Sequence, residues 1–397
     1  MNAFISKGIA KGKISAPPSK SYAHRLLICS FLADNSSVDN LKLSNDINAT
    51  INCLKSLGAD ISFKDDKAIV KRTNDFKDGF DAQESGSTLR FIIPLVLLIK
   101  GEGLIKGTKK LFSRGLSIYE ELFKKQGIDY RLKEDSLYIK GRLSSGTYEI
   151  PGDVSSQFIS GLLFVLPLLE GDSKIIITGN VESLSYIDMT IDALAAFGVV
   201  ALRRDNVIHI SGNQKYISRD IEVEGDYSNS SFFEMLNYLG GEVEITGLNP
   251  SSIQGDKAYL EYFPLLEEGH PTLDINNTID LGPILFAFAS LFNGAKFINI
   301  SRLRIKESDR VNDTLSILSK FGVKYEVKDN ELEIFKNELH APKEALETYN
   351  DHRLVMMSAI LLTKFSGKIL NIEAVNKSFP DFFTKLSSLG IGVKYED

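Results

Sequence analysis

The chain has 397 residues, 43 % of them hydrophobic and 25 % charged, and its 46 basic and 52 acidic side chains leave a net charge of −6. This length is enough for two or three cores, with two expected, and the acidic balance argues against nucleic acid as the main partner. The longest apolar runs, residues 91–99 and 281–292, fall well short of the roughly 18 residues of a membrane span, so no membrane partner is expected. Residues 1–7 hold no apolar h-region, so no secretory signal is read there. Cys29 and Cys53 lie in apolar helical patterns with no Cys-x-x-Cys. They read as buried thiols of a reducing, cytoplasmic compartment. The five histidines have no ligand spacing, so no structural metal site is expected.

In chain order, Pro17-Pro18 sets an extended entry, and Ser19 then stands as the N-cap of a helix predicted over residues 19–32. Lys20 and Ser21 fall in its first turn and Arg25 one turn on. Free amides, a hydroxyl and two cations at a helix start make an anion site. The same residues also fit a capped surface helix with solvated charges, and this motif alone leaves the two readings even. The segment Glu84–Arg90 precedes the apolar run 91–99. Gly86 there lets the backbone approach a ligand closely, and the neighbouring hydroxyls and amides can hold an oxyanion. No Gly-x-x-x-x-Gly-Lys-Ser/Thr occurs, and the spacing of Gly101, Gly103 and Gly107 misses the dinucleotide fingerprint by one residue. Both nucleotide readings are rejected.

Ser155, Ser156 and Gln157 open an apolar helix predicted over 158–169. They suit a sugar-like or phosphorylated ligand, with plain N-capping as the alternative. Asp280 lies between a polar turn and another apolar helix. Lys306, Glu307, Asp309 and Arg310 crowd the junction between an apolar strand and a helix predicted over 311–321, where alternating charge also fits a solvated face. Asp351-His352-Arg353 precedes a helix predicted over 354–362, and Lys377 comes before the last helix. A carboxylate at such a place also serves as a simple cap. Nearly every candidate thus stands at the N-terminal end of an apolar helix. If those ends converge, macrodipoles and side chains make a strongly positive cleft. On an acidic protein, that points to a small polyanionic substrate.

The chain also repeats itself. An apolar helix end, a glycine or turn and a β-rich stretch recur at Phe31–Ser36, Leu98–Gly101, Leu168–Gly171, Tyr238–Gly240, Leu291–Gly294 and Leu362–Gly367. A second series, at Gly58, Gly127, Gly198, Gly269, Gly322 and Gly390, follows about 25 residues later each time. Each glycine stands where a helix needs a left-handed C-terminal residue. The spacing is about 70 residues, except about 54 between the fourth and fifth copies. Each repeat reads as strand–helix–strand–helix–strand–strand. Six repeats predict two domains of three, with a crossover in the polar segment Val223–Ser228.

The motifs run in a fixed order over almost the whole chain: Pro18–Ser21 with Arg25, Ser85-Gly86 with Arg90, Ser113-Arg114, Gly152 with Ser155–Phe158, Ser183 with Tyr186, Asp280, Lys306-Glu307 with Asp309-Arg310, Tyr349–Arg353, and Lys377 with Phe379–Asp381. Together they resemble the 5-enolpyruvylshikimate-3-phosphate synthase family. The resemblance implies an α/β fold of two domains, each of three βαβαββ repeats. These would be residues 15–224, and residues 1–14 with 225–397, with the active site in the cleft between them.

It also implies transfer of the enolpyruvyl group of phosphoenolpyruvate to the 5-hydroxyl of shikimate 3-phosphate. Phosphate is released by addition and elimination, in aromatic amino-acid (chorismate) biosynthesis. No metal or organic cofactor is implied, and a monomer is expected. By resemblance, Lys20, Ser21, Arg25, Ser155, Ser156, Gln157, Ser183, Asp280 and Lys306 hold shikimate 3-phosphate. Lys20, Gly86, Arg114, Gln157, Arg310, Arg353 and Lys377 hold phosphoenolpyruvate. Asp280 is the candidate base at the hydroxyl, Glu307 the candidate acid and base at C3, and Lys20 the cation facing the leaving phosphate. Glyphosate, the family's phosphoenolpyruvate-competitive inhibitor, is expected to meet Gly86.

The chain departs from the family pattern at Glu84, where many members have Asn, and in a fourth repeat shortened around Ser251–Leu260. Two rivals share the architecture. A UDP-N-acetylglucosamine enolpyruvyl transferase usually has Lys-Asn at the first site and a loop Cys, whereas Ser21 follows Lys20 here. An inactive phosphate-binding scaffold would be expected to have lost Asp280 and Glu307.

Overall fold

The computed structural model describes residues 1–396. They divide into two compact units, one formed by Pro18–Glu224 and the other by Met1–Pro17 together with Gly225 onward. Each has its own hydrophobic core. The first division falls after Pro17 rather than near residue 14, because Lys11–Ser15 pairs in parallel with Glu242–Thr246 and so stays with the second unit.

Four sheets share one plan: a parallel pair extended by two antiparallel strands. In the first unit these are Asp220–Glu222, Asn35–Asp39, Lys67–Arg72 and Ala59–Lys64; then Phe80–Asp81, Glu102–Lys106, Ser136–Lys140 and Asp129–Leu132; then Thr147–Pro151, Ser173–Thr178, Val207–Ile210 and Ala201–Arg204. In the second unit Thr272–Asp274, Gly294–Ile298, Glu331–Phe335 and Lys324–Lys328 repeat it. The sixth repeat borrows a strand from the other end of the chain. Asn2–Ile5 lies antiparallel between Gly367–Ile369 and Val393–Glu396, and an isolated parallel bridge from Leu346 to Ile369 marks the fourth position. The fourth repeat keeps only the parallel pair Lys11–Ser15 and Glu242–Thr246 among the described residues. Its closing pair is replaced by a turn and the 3₁₀ segment Gly255–Ala258.

Helix starts are set by short polar side chains. Ser19 accepts from the Tyr22 amide, Ser44 from Ile47, Ser85 from Thr88, Asp226 from Asn229 and Asp351 from Arg353. Each bond satisfies an amide that the first turn leaves open. Five glycines of the second series have the expected positive φ, but Gly269 is extended at −162°. In the other series Ser366, at φ 62°, takes the left-handed place expected near Gly367. The helices Gly86–Ile99, Gly282–Leu291 and His352–Phe365 are buried on nearly every face. Their side chains fill the cores, so their polar N-terminal residues are the parts left for chemistry. No helix among the described residues is long and apolar enough to cross a membrane.

Candidate active site

In the unit Pro18–Glu224 two clusters form. Lys20 opens the helix Lys20–Leu32, and its Nζ donates to Asp46 at 2.8 Å. One turn on, Arg25 is buried and braces two helices. Its Nε donates to Thr190 Oγ1 at 2.8 Å, Nη1 to the Ser21 carbonyl at 2.6 Å and Nη2 to the Tyr186 carbonyl at 2.9 Å. Burial pushes this guanidinium down to about 10. Ser183, at φ 56°, precedes the helix Leu184–Ala196 that carries Tyr186 and Thr190. Lys20, Ser21, Arg25 and Ser183 therefore belong to one neighbourhood.

The second cluster surrounds Gly86, the first residue of its helix. A side-chain carbon there would lie 3.0 Å from Arg114 Nη1 and 3.1 Å from Arg90 Nη1. Arg90 Nη1 donates to Gln157 Oε1 at 3.2 Å, and Gln157 Nε2 donates to Ser87 Oγ at 2.9 Å. Ser155 Oγ lies 3.4 Å from the Gln157 amide, and Ser156 precedes the helix Gln157–Val165. Two guanidiniums, an amide side chain and a helix start thus meet at Gly86. The hydroxyls of Ser85 and Thr88, expected from sequence to face an oxyanion, instead point into the core and bond each other at 2.7 Å. Their residues are at the cap and third position of the helix, and its interior face claims them.

In the other unit, two distant segments and the neighbouring Glu307 meet on Arg310, which is 1 % exposed. Its Nη1 donates to Asp280 at 2.9 Å, its Nη2 to Glu307 at 2.6 Å, and its Nε to Asp351 at 2.7 Å. Arg353 Nη2 donates to Asp280 at 3.0 Å and its Nη1 to Ser228 at 2.7 Å. Lys306 Nζ lies 3.3 Å from Asp280, and Lys377 Nζ donates to the Asn350 carbonyl at 2.6 Å. Ser308 adds a bond to Asp351 at 3.1 Å.

The charges in this cluster are matched. Lys306, Arg310 and Arg353 face Asp280, Glu307 and Asp351. Cations buried without anions would pay a large desolvation penalty, so the fold supplies carboxylates. Burial opposes charge on Arg310, but the three carboxylates outweigh it and raise its pKa. Burial also pushes Asp351 up, yet Arg310 and His352 hold it below the usual carboxylate range. Burial drives Lys306 down to about 8, with Arg310 adding to the fall and Asp280 opposing it.

Sequence reasoning missed Asp46, Thr190, Ser228, Asp256 and the anchoring role of Asp351. Asp256 is buried in the shortened repeat, and burial and Asp280 push it up to about 7 against the pull of Arg353. The Gly255-Asp256 turn that replaces the missing strands was the available signal. Cys29 and Cys53 are free and buried, and burial pushes both thiols up, Cys53 to about 12. Neither is a ready nucleophile.

A chain of six such repeats has the enolpyruvyl transferase fold. Two structures of EPSP synthase from Acinetobacter baumannii match it. One has a TM-score of 0.80 over 99 % of this chain and 100 % of that one, at 21 % identity; the other has a TM-score of 0.81 at 20 % identity. The family model described as EPSP synthase (3-phosphoshikimate 1-carboxyvinyltransferase) matches residues 6–386, and the chain belongs to that family. A 3-phosphoshikimate 1-carboxyvinyltransferase of Clostridium botulinum (strain Alaska E43) is 39 % identical over 97 % of this chain and 96 % of its own length. One from Clostridium perfringens (strain ATCC 13124) is 40 % identical over 97 % of each.

Proposed function

We infer that this chain transfers the enolpyruvyl group of phosphoenolpyruvate to the 5-hydroxyl of shikimate 3-phosphate, and that the clusters described above supply the groups that do it. The observation that carries the reading is the meeting of Asp280 and Glu307 on the Arg310 guanidinium. The reaction needs two proton-transfer groups near cations that bind anions, and family membership supplies the substrates. Lys20, Ser21, Arg25, Ser155, Ser156, Gln157, Ser183, Asp280 and Lys306 are assigned to shikimate 3-phosphate. Gly86, Arg114, Arg310, Arg353 and Lys377 are assigned to phosphoenolpyruvate, with Lys20 and Gln157 serving both.

Asp280 takes the hydroxyl proton as the oxygen bonds to C2, and Glu307 delivers a proton to C3. The tetrahedral adduct then returns a proton from C3 to Glu307. The C2–O bond to phosphate breaks, phosphate leaves with the bonding pair and takes up the proton that Asp280 removed, and Lys20 balances its remaining charge. Each phosphate carries roughly −1.5 to −2 charges, enough to compete with Asp280 and Glu307 for Arg310 and Arg353. That exchange releases Asp280 and Glu307 for proton transfer. The enzyme is assigned to the cytoplasm, consistent with its two free buried thiols, and to a monomeric state. A phosphate-release assay tests the reading. Release is expected only with both substrates present, and release that ignores shikimate 3-phosphate would overturn it.

A further inference from the structure

Beneath the start of the helix Gly86–Ile99 runs a line of buried polar groups that the reaction does not use. His24 Nδ1 lies 2.8 Å from Thr50 Oγ1, Thr50 Oγ1 lies 2.7 Å from Thr88 Oγ1, and Thr88 Oγ1 donates to Ser85 Oγ at 2.7 Å. The four residues are at most 1 % exposed. They come from three helices, Lys20–Leu32, Asn45–Ser56 and Gly86–Ile99, with Ser85 capping the last. The Thr88 amide also reaches Ser85 Oγ, at 3.2 Å, and the Thr88 hydroxyl lies 3.3 Å from the Asp46 carbonyl. Asp46 in turn holds Lys20.

The line has a direction. Burial, with Lys20 and Arg25 adding, pushes His24 well below its usual pKa, so the ring is neutral and carries one proton. Its Nε2 is buried and meets no hydrogen-bond partner. A buried N–H without an acceptor is the costlier defect, so the proton sits on Nδ1. Nδ1 then donates to Thr50, Thr50 to Thr88 and Thr88 to Ser85. Hydrogen bonds aligned this way polarise one another, and the Ser85 oxygen ends the line held by two donors.

We propose that His24, Thr50 and Thr88 are positioning residues for the phosphoenolpyruvate-binding turn: their relay fixes Ser85, and Ser85 fixes the direction in which the Gly86 and Ser87 amides meet the anion. The proposal rests on the reading of Gly86 as a phosphoenolpyruvate contact. A helix start whose cap drifts presents its amides to an anion in several directions, which weakens binding of that anion alone.

Thr50→Val keeps the side chain's shape and removes the central hydroxyl; Thr50→Ser keeps the hydroxyl. Steady-state kinetics with both substrates, and thermal unfolding, are measured for the wild type and for both variants, with Thr88→Val and Thr88→Ser as a second pair. Valine is expected to raise KM for phosphoenolpyruvate about tenfold, to leave KM for shikimate 3-phosphate within about twofold, and serine is expected to restore the wild-type value. An unchanged KM for phosphoenolpyruvate in both valine variants overturns the proposal. So does a uniform loss affecting both substrates that tracks a fall in melting temperature, because that is the pattern of a packing role. A wild type that turns over neither substrate is a different failure, that of the reaction assignment.

Discussion

Asp280, Glu307 and Asp351 all reach Arg310, but they do not occupy equivalent places. Asp351 is fully buried, while the Asp280 and Glu307 side chains are 18 % and 20 % exposed. In the proposed reaction Asp351 therefore stays on Arg310 as its anchor, and the other two trade Arg310 for an incoming anion. Glu307→Gln and Asp280→Asn are expected to bind both substrates and to lose about 10²-fold or more in turnover, as a rapid-quench assay would show. Near-wild-type turnover in either variant would remove that residue from the mechanism. Asp351→Ala, by contrast, leaves a buried guanidinium short of its anchor and is expected to cost roughly 3–5 kcal/mol in urea unfolding.

Lys306 adds a pH dependence. Its pKa is depressed to about 8 by burial, so it loses its charge as the pH rises through that value. If it holds the substrate phosphate, kcat/KM for shikimate 3-phosphate falls above about pH 8. A flat profile up to pH 10 would exclude that role. The residues were visible in sequence but their pairing was not. Arg310 and Asp351 are forty-one positions apart, and a helix-capping aspartate looks the same in sequence whether or not a guanidinium comes to meet it.

At the scale of elements, the helix beginning at Gly86 shows where sequence patterning stops. The apolar run begins at Phe91, yet the helix begins at Gly86 under the Ser85 cap. Glycine and serine are weak helix formers, so the first turn reads as loop until the cap and the guanidiniums around it are seen. That start is also crowded. Gly86→Ala brings a methyl to about 3 Å from the ends of the Arg114 and Arg90 side chains, which must yield by a few tenths of an ångström. Such a displacement should weaken glyphosate, the longer ligand, by about tenfold or more relative to phosphoenolpyruvate. Inhibition curves at matched phosphoenolpyruvate saturation measure it. Superimposable curves for wild type and variant would mean that this glycine does not gate the inhibitor.

For the whole molecule, the two units are built differently along the chain. Pro18–Glu224 is contiguous and closes all three of its four-stranded sheets within itself. It is expected to fold when expressed alone, with a cooperative thermal transition by circular dichroism. The other unit needs both ends of the chain, because Asn2–Ile5 is the middle strand between Gly367–Ile369 and Val393–Glu396. Deleting residues 1–7 should therefore destabilise that unit selectively, and an unfolding curve identical to the full chain's would contradict the pairing's importance.

The linear order of residues was sufficient for the repeat and its period, for the α/β class, and for singling out the cations and carboxylates that the fold gathers around Arg310. These follow from local periodicity, helix-stop glycines and charge placed at helix starts, which neighbouring residues determine among themselves. The tertiary structure decided which charges neutralise which, that Ser85 and Thr88 turn inward, and that the first strand completes the last repeat. Those outcomes depend on which segments meet across the fold. There, burial makes an unpaired cation or hydroxyl costly, and the partner that relieves the cost can lie tens or hundreds of residues away.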